Sequence, residues 1–230
     1  MGFRDGLPIG IGYFAISFGF GILASSYGIP ILETVLVSAF NLTSAGQLAA
    51  VPIIASAGSL IELALTQLLI NLRYSLMAIS LSQRFDEKIR IVDRLYLAFA
   101  LTDEIFAVSI GKPAKIGKRY LLALYLFPYI GWTMGTLFGS VVGNVLPELL
   151  VSALSVSLYA MFIAIVVPSA KESKPVAVCI LISVLMSIIF KYVPLLSKIP
   201  NGFVIIIIAL IASAVLSVFK PIKDEKEANE

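Results

Sequence analysis

Leu95-Tyr96-Leu97-Ala98-Phe99-Ala100-Leu101-Thr102-Asp103-Glu104-Ile105-Phe106-Ala107-Val108-Ser109-Ile110 is an apolar run of 16 residues with two adjacent carboxylates in its middle. As a helix it reaches ~24 Å, short of the ~30 Å hydrocarbon core of a bilayer. Two charges left facing lipid would be costly. The flanks of the run decide its path. Arg84, Lys88, Arg90 and Arg94 precede it, and Lys112, Lys115, Lys118 and Arg119 follow it. If the run crosses fully with the N-terminus inside, ten Lys and Arg lie in the cytoplasm against six outside; if it dips in and returns, the division is thirteen against three. The bias of basic residues toward the cytoplasm therefore predicts a re-entrant or broken segment, with about seven crossings overall and the C-terminus inside. A six-crossing version, in which the second apolar segment is also re-entrant, scores equally well.

The rest of the chain sets the class. Of 230 residues, 59% are hydrophobic and 13% charged, and the mean hydropathy is +1.00. Soluble domains carry roughly 45–50% and about 25%, so the fold is all-α, a polytopic helical membrane protein. The apolar runs are far longer than the ~10-residue alternating strands of an outer-membrane barrel. Besides 95–110, candidate segments are 7–27, 31–55, 60–81, 120–142, 149–167, 176–192 and 203–219. They make residues 1–219 a single transmembrane domain followed by a charged cytoplasmic tail, 220–230. The N-terminus lacks the Ser or Thr of a myristoylation signal and a clear cleavage site, so the first segment is read as retained. Leu36-Val37-Ser38-Ala39 recurs as Leu150-Val151-Ser152-Ala153, each copy between prolines. This hints at an internal repeat, inverted if the fourth segment does not span, a plan recurrent in transporters. The chain has no His, and its single cysteine, Cys179, sits in an apolar run. That excludes an internal disulfide, a His-based metal site, haem and a His-containing catalytic triad. No cofactor, metal or nucleic-acid partner is expected.

Several polar residues do not belong in lipid. Asn41-Leu42-Thr43-Ser44-Ala45-Gly46-Gln47 interrupts the second segment near its middle. Such a stretch suits either packing by small residues or an unwound backbone lining a cavity, where a half-helix N-terminus favours a carboxylate. On the third segment, Ser59, Glu62, Thr66, Arg73 and Ser80 share one helical face, while Gln67, Asn71 and Tyr74 form another. Arg73, ~12 Å from the basic end, either snorkels or pairs with Asp103, Glu104 or Glu62. Asp103 and Glu104 point ~100° apart, so they do not easily share one partner. One is expected to face Arg73 and the other the pathway or a helix cap, for which Thr102 and Asp103 are suitable types. A buried carboxylate is also a candidate proton carrier. Gly131, Gly135, Gly139 and Gly143 form a ridge at spacing four that admits a close helix, from this chain or a second subunit.

Asn71-Leu72-Arg73-Tyr74 and Leu101-Thr102-Asp103-Glu104-Ile105-Phe106-Ala107, in that order and separation, resemble the signature stretches of the AzlC family of branched-chain amino acid permeases. Gly131-Trp132 and Ala160-Met161-Phe162-Ile163-Ala164 look like it too. The resemblance implies an exporter of small neutral amino acids in a bacterial cytoplasmic membrane, working with a short AzlD-type membrane subunit. The chain departs from the family pattern at Tyr74, where His is usual, at Ser155, where Asp is usual, and in its Ser44-Ala45-Gly46-Gln47-Leu48 string. Two titratable groups are thereby lost. The expected substrate-binding set is Ser44, Gly46, Gln47, Asn71, Arg73, Thr102, Asp103 and Glu104, with Asp103 and Glu104 also proton-coupling candidates. The rival readings are a channel for small solutes or ions, and an accessory membrane subunit without transport of its own. An enzyme is not expected, since a paired-Asp protease needs a second buried Asp and Asp103 is alone within the apolar segments.

Overall fold

The computed structural model describes residues 1–87, 89–112, 115–147 and 170–219, together with 149, 150, 153, 163 and 166–168. Its elements are α1 Gly2–Ser26, α2 Ile31–Phe40, α3 Ser44–Ala55, α4 Leu60–Ser82, α5 Ile91–Phe99, α6 Asp103–Ile110, α7 Lys118–Gly143, α8 Lys174–Tyr192 and α9 Asn201–Phe219, with a short 3-10 turn, Leu196–Lys198, before α9. This is an all-α membrane protein, and α1, α4, α7 and α8 are each long and apolar enough to cross a bilayer. The expected segment 149–167 falls mostly outside the described residues. So do the second copy of the suggested repeat, Ser155, the 160–164 motif and the tail 220–230.

The frame is a pair of parallel helices. The ridge of Gly131, Gly135 and Gly139 on α7 faces α1 of the same chain, where a Cβ at each would strike the carbonyl oxygens of Gly10, Phe14 and Phe18 in turn. From the other side, Gly6 and Gly10 lie against the carbonyls of Leu124 and Phe127. Residue numbers rise together along both helices, so α1 and α7 run in the same direction. In lipid, where apolar side chains gain little by leaving one another's company, close backbone approach of this kind is what holds helices together.

One end of this frame is basic. Asp5 pairs with Lys112 at 2.8 Å and accepts a hydrogen bond from Tyr120 at 2.7 Å. The loops on either side of α5–α6 meet there too. The Asp86 amide donates to the Ile116 carbonyl (3.0 Å), the Ile116 amide donates to the Arg84 carbonyl (2.8 Å), and Arg84 reaches the Lys112 carbonyl. Lys115–Glu87 and Lys118–Asp93 contacts at 2.7 and 2.9 Å close the same seam. The hydrogen bond from Lys115 holds the Glu87 carboxyl below its ordinary range, and that to Asp5 raises the Lys112 ammonium. Both shifts favour the charged, paired forms, so the clasp stays closed across neutral pH. Hence α5 and α6 enter and leave at the same end. The segment quoted first is a re-entrant hairpin, as the charge count predicts.

The second segment is a hairpin as well, from the opposite end. Phe20, Ala24 and Ile29, where α1 ends and turns into α2, pack with Val51 near the end of α3. Residues 31–55 are numerous enough to span, but the chain is extended at Asn41 (φ −140, ψ 89) and at Thr43 (φ −136, ψ 112), and Thr43 starts a new helix. Each half covers only ~15–18 Å. The second segment is thus re-entrant, as in the six-crossing alternative, and not the crossing that a total of about seven requires. Because Asp5 lies at the basic end, that end also collects Arg4, alongside Arg84, Arg90, Arg94, Lys112, Lys115, Lys118 and Arg119.

Candidate functional site

The two hairpin tips approach each other at mid-height, between Tyr13 of α1, Trp132 of α7 and the centre of α4. Leu42, in the first break, packs with Tyr13 and Trp132, whose rings meet edge-on at 5.1 Å. In the second break the Tyr13 hydroxyl bonds to Thr102 at 2.5 Å and to the Glu104 carboxylate. Tyr13 therefore touches both tips.

The tips share a design. Each break ends in an extended threonine that caps the helix after it: Thr43 Oγ1 accepts from the Gly46 amide (3.2 Å), and Thr102 Oγ1 from the Ile105 amide (3.4 Å). Each cap satisfies one donor of the first turn and leaves others without an intrahelical partner. Two positive helix ends thus point toward the middle of the protein.

Between them stands α4. Arg73 pairs with Asp103, the first residue of α6, at 2.8 Å, and both side chains stay about half exposed (52% and 47%). Its guanidinium also donates to the Tyr74 hydroxyl at 3.0 Å and lies 4.8 Å from that ring. The Tyr74 phenol in turn lies against the Thr43 hydroxyl. Consecutive residues of one helix therefore face the two hairpins, Arg73 paired with the second and Tyr74 beside the first.

Amides line the first tip. Gln67 donates to the Gly46 carbonyl (2.8 Å), and its own carbonyl accepts from Asn41 (2.9 Å) and Asn71 (3.3 Å). Gln47, fully buried, donates to Ser38 (2.7 Å), which contacts Thr136 of α7 at 2.5 Å. The carbonyl oxygens of Gln47 and Asn71 are buried with no donor against them.

Of the residues expected from sequence, the structure brings Arg73 and Asp103 into contact. Gly46 and Asn71 join through Gln67, and Thr102 and Glu104 through Tyr13. Glu104 does not share the arginine, as the ~100° separation anticipates. Ser44 occupies the first turn of α3. Gln47 belongs to a separate chain of contacts running to α7. Glu62, a third possible partner for Arg73, is elsewhere: its carboxylate accepts from the Gly202 amide at 2.7 Å and caps α9. Removing that cap by Glu62→Ala leaves the buried Gly202 amide unanswered and is expected to cost about 1–3 kcal/mol. Thermal unfolding of the purified protein checks this, and an unchanged melting temperature would contradict the capping role.

Sequence reasoning missed Tyr13, Thr43 and Gln67 as site residues. The signal for Tyr13 was faint: one phenol in the middle of a glycine-rich span. Thr43 and Gln67 lay inside the polar stretches already noted, but nothing in their spacing distinguished them from Ser44 or Asn71.

Comparison with known proteins agrees with this picture. The sequence model of the AzlC family, described as "AzlC protein", matches residues 8–146, which contain both hairpins and the α1–α7 pair. The inner membrane protein YgaZ of Escherichia coli (strain K12) is 30% identical over 140 residues, covering 59% of this chain and 57% of that protein. An uncharacterized membrane protein of Archaeoglobus fulgidus is 32% identical over 138 residues, covering 58% and 59%. One from Helicobacter pylori (strain 26695) is 31% identical over 143 residues, covering 59% and 61%. The matches thus span about three fifths of the length of these relatives. No solved structure matches.

Proposed function

Because this chain belongs to the AzlC family, and because two opposed hairpins converge on a half-exposed ion pair, we propose that it is a secondary transporter. It exports small neutral, branched-chain amino acids across the cytoplasmic membrane by alternating access, with a short AzlD-type subunit as partner. The observation that carries the reading is the Arg73–Asp103 pair between the capped ends of α3 and α6.

A zwitterion fits that arrangement. Its carboxylate competes with Asp103 for the Arg73 fork and for the free amides at the helix ends. Its ammonium takes over Asp103, and the unpaired carbonyl oxygen of Asn71, beside Gln67 at the first tip, offers a further acceptor. Half-helix N-termini aimed at an anionic substrate group at mid-membrane are a recurrent transporter device. Insertion between two groups already paired exchanges one ion pair for two, so no bare charge is left at any stage.

The basic end, by the positive-inside rule, faces the cytoplasm. The hairpin α5–α6 then opens inward and α2–α3 outward. The test is counterflow and efflux of labelled leucine, isoleucine and valine from proteoliposomes, with and without the small subunit and across a pH gradient. Saturable exchange supports a transporter. Flux that rises linearly with concentration, without counterflow, would instead support a pore.

One variant isolates the amide-lined tip. A Cβ on Gly46 would sit 2.5 Å from Gln67 Oε1 and 3.0 Å from Thr43 Cγ2. Gly46→Ala is therefore expected to displace Gln67 and weaken substrate half-saturation by about 10-fold, the equivalent of one lost hydrogen bond, while yield and melting temperature hold. Unchanged half-saturation would remove the first hairpin from the binding site.

A further inference from the structure

We propose that the basic end of the protein carries a site for one anionic phospholipid, seated between α4 and α5. A cavity of about 240 Å³ opens there, walled by Ala78 and Ile79 of α4 and by Leu95, Ala98 and Leu101 of the α5 region. Ile79 and Leu95 are largely exposed, so the slot faces the surroundings of the helix bundle rather than its interior.

Two hydrogen-bond donors in this apolar slot have no acceptor. Tyr125 is 6% exposed and its buried hydroxyl is unpartnered; Arg94 lines the same cavity with its Nε also buried and unpartnered. The Arg94 guanidinium lies 5.8 Å from the Phe85 ring and has no ion pair among the described residues. Its neighbours are committed elsewhere: Arg84 to backbone carbonyls, Arg90 and Lys118 to Asp93.

The chemistry of the occupant follows. Unanswered donors call for oxygen acceptors, and the cation calls for an anion. The apolar walls call for a hydrocarbon chain. Depth agrees with a lipid: Arg94 is in the first turn of α5, beside the basic loops, while Tyr125 lies ~10 Å along α7. A phosphate at Arg94, an ester carbonyl at Tyr125 and an acyl chain along Ile79 and Leu95 use every feature of the slot. Basic pockets at helix ends are suited to anionic headgroups, where each Lys or Arg adds to attraction.

The probe is phosphatidylglycerol, added to the purified full chain in neutral detergent, against phosphatidylcholine and inorganic phosphate. At lipid about 10-fold above its dissociation constant, phosphatidylglycerol is expected to raise the melting temperature by about 4 °C. Native mass spectra are expected to retain one such lipid per chain. Phosphatidylcholine and phosphate are expected to do neither. Arg94→Gln removes the cation, and Ala98→Phe fills the slot with the cation intact; each is expected to abolish most of the shift and the adduct. Should Arg94→Gln fold poorly, Ala98→Phe and Tyr125→Phe still decide. An equal shift with phosphatidylcholine, the same shift from phosphate alone, or a phosphatidylglycerol shift that survives the slot-filling variant would overturn the proposal.

Discussion

Proteoliposomes carrying Arg73→Ala are expected to export leucine about 100-fold more slowly than the wild type, with normal yield and melting temperature. The site pairs this guanidinium with Asp103 at 2.8 Å, and half of each side chain is accessible. Deleting one member of a charge pair at a binding site typically costs 2–5 kcal/mol when desolvated. Partial exposure screens the pair and places the loss near the lower half of that range, or about 3 kcal/mol. The fold is expected to survive because Asp103, left alone, is accessible enough to be hydrated. Arg73→Lys keeps the charge and loses the planar fork, so an intermediate loss of about 10-fold is expected. Asp103→Asn should act like Arg73→Ala, and the double variant should be little worse than either, since the two act on one ligand. Glu104→Gln separates the acids: bonded to Tyr13 rather than to Arg73, it is expected to slow efflux less than Asp103→Asn does. Wild-type efflux from the Arg73→Ala, Asp103→Asn double variant would reject the site.

The second large effect concerns the frame. Gly139→Leu is expected to prevent accumulation of folded protein altogether. Its Cβ alone would collide with the carbonyl oxygen of Phe18 and come within 2.8 Å of the carbon that bears it, neither of which is the end of a flexible side chain. Relief requires α1 and α7 to separate, and the same separation would undo the contacts at Gly131 and Gly135 along the ridge. Overpacking in a core costs about 1–3 kcal/mol when neighbours can yield, and more when they are backbone. Gly12 supplies the contrast, since a Cβ there meets nothing within 4 Å, so Gly12→Leu should express as the wild type does. Comparable yields of monodisperse protein from both variants would refute the frame.

The class of fold was legible in composition, and the re-entrant path of 95–110 in the charges flanking it, because lipid forbids stray charge and the insertion machinery sorts basic loops. The path of 31–55 was less legible. Its length permits a crossing, and only the packing of Phe20, Ala24 and Ile29 with Val51 shows that it returns to the end it left. Arg73, Asp103 and Glu104 stood out because ionised groups are rare in apolar segments. Tyr13 did not, because a tyrosine in a span is ordinary; its role arises from two tips converging on it, which no local pattern records. The partner of the glycine ridge was equally hidden. Small residues announce a close neighbour without naming it, and α1 could be identified only when its carbonyls were found opposite Gly131, Gly135 and Gly139, and Ser25 and Ile22 opposite Gly143.

Arg73 and Tyr74 occupy successive positions on one rigid rod, so neither can be withdrawn without swinging the other. On the proposed mechanism, a twist of that rod that shifts the phenol beside the first hairpin also shifts the guanidinium paired with the second. For the transporter proposed above, two leaves hung from a single post would move as a coupled pair rather than separately.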